Sequence, residues 1–133
     1  KLKMAAVMEA ARIVSHGKRS DDAAARILQA LRMEINDEMG ELERGLNGAH
    51  SLLKSGGRLV VLTYHSGEDR LVKQKGQEWS RDCICPEEFP VCVCGGKQAT
   101  FRSLLKTPGL PTPEEEENNP RSRSAKLRVY ERL

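Results

Sequence analysis

The amino-acid sequence predicts an α/β fold, and three observations carry that prediction. Residues 58–64, Arg-Leu-Val-Val-Leu-Thr-Tyr, form the one run rich in β-branched and apolar residues, and the Gly56-Gly57 turn precedes it. The run has no polar alternation after Arg58, which predicts a strand covered on both faces, as in a parallel sheet flanked by helices. Helical periodicity fills most of the chain before it, and the sequence turns polar directly after it, at His65, Ser66, Glu68, Asp69 and Arg70. Ser66 followed three residues later by Asp69 predicts an N-cap with a capping-box-like partner, so a helix starts here. Strand, polar turn and helix N-terminus place this cluster at the carboxyl end of a strand, where open α/β sheets bind their ligands.

The 133 residues suffice for one domain with a modest core. A balance of 22 basic and 19 acidic residues leaves a net charge of +3, which does not by itself demand a nucleic-acid partner. Only 4% of the residues are aromatic, a low share that suits a piece leaning on another part of a longer protein. No apolar run approaches the ~20 residues that cross a bilayer. No signal-peptide pattern opens the chain, so no membrane partner is expected, and a cytoplasmic location, or an organellar one in a eukaryote. Four cysteines in such a sequence favour free thiols or metal over disulfides.

Taken in order, Met4, Val7, Met8, Ala11 and Val14 recur at helical spacing, with Gly17 as a stop and His16 facing the helix dipole. Ser20-Asp21-Asp22 predicts the next helix start. From Ile27 to Leu53 an apolar stripe runs at steps of three or four, which predicts one long amphipathic helix or two in sequence, packed on the sheet. Gly40, Gly45 and Gly48 each weaken that helix, and a kink or break is expected near Gly40. Arg32 and Asn36 lie off that stripe, one turn apart on one face. After the strand a helix is predicted to about Trp79, then a cysteine-bearing loop over about 80–98 and a short strand near Phe101–Leu105. Thr112-Pro113-Glu114-Glu115 supplies an N-cap, a proline at the first helical position and a box glutamate, so a short acidic helix to Asn118 follows. Leu127, Val129 and Leu133 alternate with polar residues as a terminal strand, expected to pair antiparallel with the short strand before it.

Two constellations carry chemistry. Cys83-x-Cys85 and Cys92-x-Cys94 are four soft ligands, enough to close a tetrahedral structural zinc site; unligated thiols are the other reading. Cys-x-Cys is tighter than the usual Cys-x-x-Cys, but Pro86, Pro90 and Gly95-Gly96 supply turns that could bring the pairs together. Arg121, Arg123, Lys126 and Arg128, interleaved with Ser122 and Ser124, could neutralise RNA phosphates; a charged, solvated edge strand reads the same way.

At residues 56–73, Gly-Gly-Arg-Leu-Val-Val-Leu-Thr-Tyr-His-Ser-Gly-Glu-Asp-Arg-Leu-Val-Lys, the chain resembles the RsmH/MraW family of methyltransferases. The stretches Gln29-Ala30-Leu31-Arg32 to Leu42-Glu43, Cys83 to Gly95 and Asn119 to Arg128 agree with the same family, in the same order. Position 67 is glycine where the family has an apolar residue, and Ser20 to Ala25 lack its His-Pro-Ala-Thr. The resemblance implies the C-terminal part of a Rossmann-like class I S-adenosylmethionine-dependent methyltransferase, with residues 1–20 ending a helical insertion and 21–133 belonging to the methyltransferase domain. It implies methylation of the exocyclic N4 of a cytidine in small-subunit (16S) ribosomal RNA. No glycine-rich loop follows a strand here, so no S-adenosylmethionine contact is expected in this chain. His65 and Asp69 are then the candidate catalytic residues, as hydrogen-bond acceptors for the cytosine amine. Arg32, Asn36, Ser66, Arg70, Arg121, Arg123, Lys126 and Arg128 are the candidate RNA contacts. A non-catalytic, zinc-stabilised RNA-binding module is the rival expectation.

Overall fold

The computed structural model describes residues 4–14, 20–86 and 89–133. The expected helix stop at His16 and Gly17 lies outside them. The chain divides into two compact units, residues 1–42 and 43–133.

In the first unit, helix α1 (Met4–Val14) packs on helix α2 (Ser20–Ile35) through Val7, Ala11 and Ala24, all buried. The long stripe is split into α2 and α3 (Glu38–Leu52). The break expected near Gly40 falls at Asn36-Asp37, where Asp37 takes a left-handed backbone (φ 48°) that aspartate tolerates. Gly40 serves that break differently: a Cβ there would overlap the Asp37 carboxylate. The end of α2 does not behave as core, since Ile35 is 80% exposed.

In the second unit the sheet has three strands in the order β1 (Arg58–Thr63), β3 (Lys126–Arg132), β2 (Phe101–Ser103), both pairings antiparallel. The antiparallel partnership of the terminal strand with β2 is as expected. The covered parallel strand is not: among the described residues β1 pairs only with β3 and has one face open. Leu59, Val61 and Thr63 turn toward helix α4 (Ser66–Trp79), whereas Val60 and Leu62 are 59% and 51% exposed on the other side. An even run of apolar residues conceals which face is buried, because hydrophobicity stops alternating when both faces are apolar.

The core of this unit is aromatic. Trp79 from α4, Phe101 from β2 and His50 from α3 have ring centroids 5.1–5.4 Å apart, and Tyr130 meets Trp79 edge-on. Tyr130 Oη donates to the carbonyl of Val72 at 3.2 Å, a partner its burial requires. Gly76 is the residue that lets α4 come this close, since a Cβ there would overlap the tyrosine ring. Between β2 and β3 the chain forms α5 (Pro113–Asn118), capped by Thr112 Oγ1 accepting from the Glu115 amide at 3.1 Å, and then a 3-10 turn over Pro120–Ser124.

Candidate functional site

The polar turn at the carboxyl end of β1 does open a helix, but its cap is one residue earlier than the sequence suggests. His65, not Ser66, is the N-cap: its Nδ1 accepts the Glu68 amide at 3.3 Å. Glu68 completes the box, its Oε2 accepting from the amides of Tyr64 (2.9 Å) and His65 (3.3 Å). With Nδ1 accepting, Nε2 is the ring nitrogen left to donate. Nε2 is enclosed and finds no aligned acceptor among the described residues, although Glu68 Oε1 lies 3.2 Å away. Ser66 is exposed at the first helical position.

Asp69 is not a cap either. Its carboxylate takes Arg128 Nε on Oδ1 at 2.7 Å and Lys126 Nζ on Oδ2 at 3.2 Å, both from β3. The Arg128 hydrogen bond outweighs the effect of burial, so the carboxyl is held below the usual aspartate range and stays ionised. Arg128 and Lys126, expected to meet RNA, both bind Asp69 on the α4 face of the sheet, Arg128 largely withdrawn from solvent and Lys126 more exposed. Arg70, Arg121 and Arg123 are exposed and make no ion pair among the described residues. Arg32 and Asn36 are brought together in the first unit, on Glu38: Arg32 reaches both carboxylate oxygens, at 2.8 and 3.1 Å, and Asn36 Nδ2 lies 3.4 Å from one.

Two features have no counterpart among the sequence expectations. A cavity of about 500 Å³ opens between α4 and residues 103–106, with Lys73, Lys106 and Arg128 on its wall beside Tyr130. No short motif marks it, since its cations come from three separate elements. The second is His50, whose Nε2 lies 3.0 Å from Thr100 Oγ1 and 3.1 Å from Arg132 Nη1. Arginine only donates, so Nε2 accepts. Burial and then the Arg132 charge lower the His50 pKa, in keeping with an accepting Nε2.

The four cysteines converge. All four sulfurs lie within 4.8 Å of one another, and Cys85 Sγ accepts the Val93 amide at 3.4 Å. Amides of Ile84 and Gly96 pull the Cys94 thiol down to about 6. At Cys83 the Cys85 amide pulls the same way, but the thiols of Cys92, Cys94 and Cys85 outweigh it and push the group up to about 11.

The fold is mixed helix and sheet, with a capped strand-to-helix edge and a cluster of four thiols, and comparison with known proteins assigns its family. The model of the MraW methylase family matches residues 2–133, and the chain belongs to that family. Among curated relatives, ribosomal RNA small subunit methyltransferase H of Carboxydothermus hydrogenoformans is 48% identical over 121 residues, covering 91% of this chain and 39% of the relative. The protein of the same name from Dehalococcoides mccartyi is 48% identical over 130 residues, covering 98% and 36%. That of Halothermothrix orenii is 42% identical over 132 residues, covering 99% and 42%. The chain thus spans roughly two-fifths of the length of these relatives. None of the helices among the described residues is long and apolar enough to cross a membrane.

Proposed function

We propose that this chain forms part of an S-adenosylmethionine-dependent methyltransferase that modifies the exocyclic N4 of a cytidine in small-subunit ribosomal RNA. The observation that supports this reading is the family match over residues 2–133, joined by relatives named as ribosomal RNA small subunit methyltransferases. S-adenosylmethionine, when bound, supplies an electrophilic methyl group on a sulfonium. The residues of this chain would orient the acceptor. The amine of cytosine has its lone pair delocalised into the ring, so the base must be turned out of its stack and held with the amine aligned.

In this reading His65 and Asp69 are positioning residues. His65 Nδ1 is committed to the helix cap and Nε2 is enclosed, while Asp69 is held as an ion by two cations, which makes it a poor proton acceptor. Their part is to hold the 64–70 turn rigid at the carboxyl end of β1. Exposed Arg70, Arg121 and Arg123, with Ser66, would meet RNA phosphates, and Arg32 with Asn36 would present a further polar contact. The test is single-turnover methylation of small-subunit RNA by the protein at its natural length, with the product nucleosides separated. N4-methylcytidine, formed only with S-adenosylmethionine, is the expected product. RNA binding without methyl transfer would favour a non-catalytic binding module instead, and a methyl group on another atom would overturn the N4 assignment.

A further inference from the structure

We propose that Cys83, Cys85, Cys92 and Cys94 hold one structural zinc ion that folds the segment between α4 and β2, independently of methyl transfer. Three observations carry it.

The first is sulfur geometry. Zinc bonded to four thiolates at about 2.3 Å places the sulfurs at the corners of a tetrahedron with edges of about 3.8 Å. Here Cys83–Cys92, Cys92–Cys94 and Cys94–Cys83 are 3.6, 3.4 and 3.8 Å apart, and all four sulfurs lie within 4.8 Å. The second is the lack of any other core. None of the described residues from Ser80 to Gln98 is buried, and Ile84, Phe89, Val91 and Val93 are all more than half exposed. A segment with no apolar interior needs a different staple to hold one conformation. The third is that the backbone is already shaped for ligation. Gly95, Gly96 and Lys97 all take positive φ (79°, 66° and 59°), turning the chain sharply after Cys94. The Val93 amide points at Cys85 Sγ, so the second pair donates to a sulfur of the first. Hydrogen bonds from Gln98 N to the Asp82 carbonyl and from Thr100 N to the Trp79 carbonyl close the base of the loop.

The protein supplies all four ligands and leaves no position for water or substrate, so the ion is structural. On binding, each thiol gives its proton to solvent, and Zn²⁺ with four thiolates carries a net −2 charge, beside which Arg81 stands.

The test uses the protein at its natural length, purified and kept under reducing agent. Elemental analysis is expected to find about one zinc per chain, by the four-ligand stoichiometry. Replacing zinc with cobalt should give the intense visible bands of tetrahedral cobalt thiolate. Stripping the wild-type protein with a chelator should speed amide exchange in residues 80–98 while β3 stays protected, a readout that does not depend on a folded variant. Cys83→Ser and Cys94→Ser should each lose the zinc. Four thiols titratable in metal-free native protein, disulfides persisting under reduction, or iron in place of zinc would each overturn the proposal.

Discussion

Asp69 Oδ1 lies 2.7 Å from Arg128 Nε, which ties the first turn of α4 to the strand that centres the sheet. The two residues are 59 positions apart, and both side chains are largely withdrawn from solvent. Removing the acid strands a cation there. Asp69→Ala is therefore expected to cost about 2 kcal/mol, in the range of hydrogen bonds to charged groups, measured by urea unfolding. Its folded pKa is depressed, so this stabilisation is fully present above the unfolded value of about 3.9 and is lost as pH falls through the folded value. The stability gap between the parent and Asp69→Asn should hold steady near neutrality and close in acid. A gap that instead changes near pH 6.5 would point to a histidine.

His65 separates two roles that one substitution would confuse. His65→Ala removes the cap acceptor and is expected to cost about 1 kcal/mol of stability. His65→Asn restores an acceptor for the Glu68 amide. If the residue works through the turn, asparagine should recover both stability and single-turnover methyl transfer. Recovery of stability alone would show that the imidazole itself meets the base.

At Gly76 two effects oppose each other. Alanine would improve helix propensity by about 1 kcal/mol, yet its methyl group overlaps the Tyr130 ring. Overpacking of about 1–3 kcal/mol should win, so Gly76→Ala is expected to lower the unfolding midpoint. In a Tyr130→Leu background the sign should reverse, which thermal unfolding of the four proteins of the cycle would read.

The arginines of the C-terminal region should divide by partner. Arg121→Ala and Arg123→Ala are expected to weaken RNA binding and reduce the log–log salt slope by about 0.7–0.9 for each phosphate no longer neutralised. Arg128→Ala should lower stability through Asp69 with a smaller change in salt slope. Binding isotherms at several salt concentrations, alongside unfolding curves, decide this. Equal slopes for all three variants would remove the distinction.

Local signals in the sequence are accurate where the physics is local. The strand from Arg58, the helix to Trp79 and the capped helix after Thr112 each follow from residues within one turn of their boundary. The cap at the carboxyl end of β1 falls one residue from its expected place because hydroxyl and carboxylate acceptors dominate N-caps, and an imidazole nitrogen is an uncommon substitute. The break at Asp37 is obscured by Gly40, three residues on, whose small size relieves the turn without making it. The partners of Asp69 are out of reach of any window, though Lys126 and Arg128 two apart on a strand share one face. The cluster of His50, Trp79, Phe101 and Tyr130 assembles only when the sheet forms. Convergence of the cysteines is legible from their turns, because prolines and glycines between and after the two pairs leave the chain few other paths.

β1 is the outer strand of the sheet among the described residues, and Val60 and Leu62 stand on its open side. A row of unspent amides and carbonyls backed by bare aliphatic side chains is adhesive toward any extended peptide, its own copies included. The chain expressed by itself should accordingly be limited by concentration before temperature: loss of soluble protein should steepen as it is concentrated, even where unfolding is remote. A single lysine at position 60, standing among those aliphatics, should act as a gatekeeper and extend the soluble range while leaving the α4 face of the sheet unchanged.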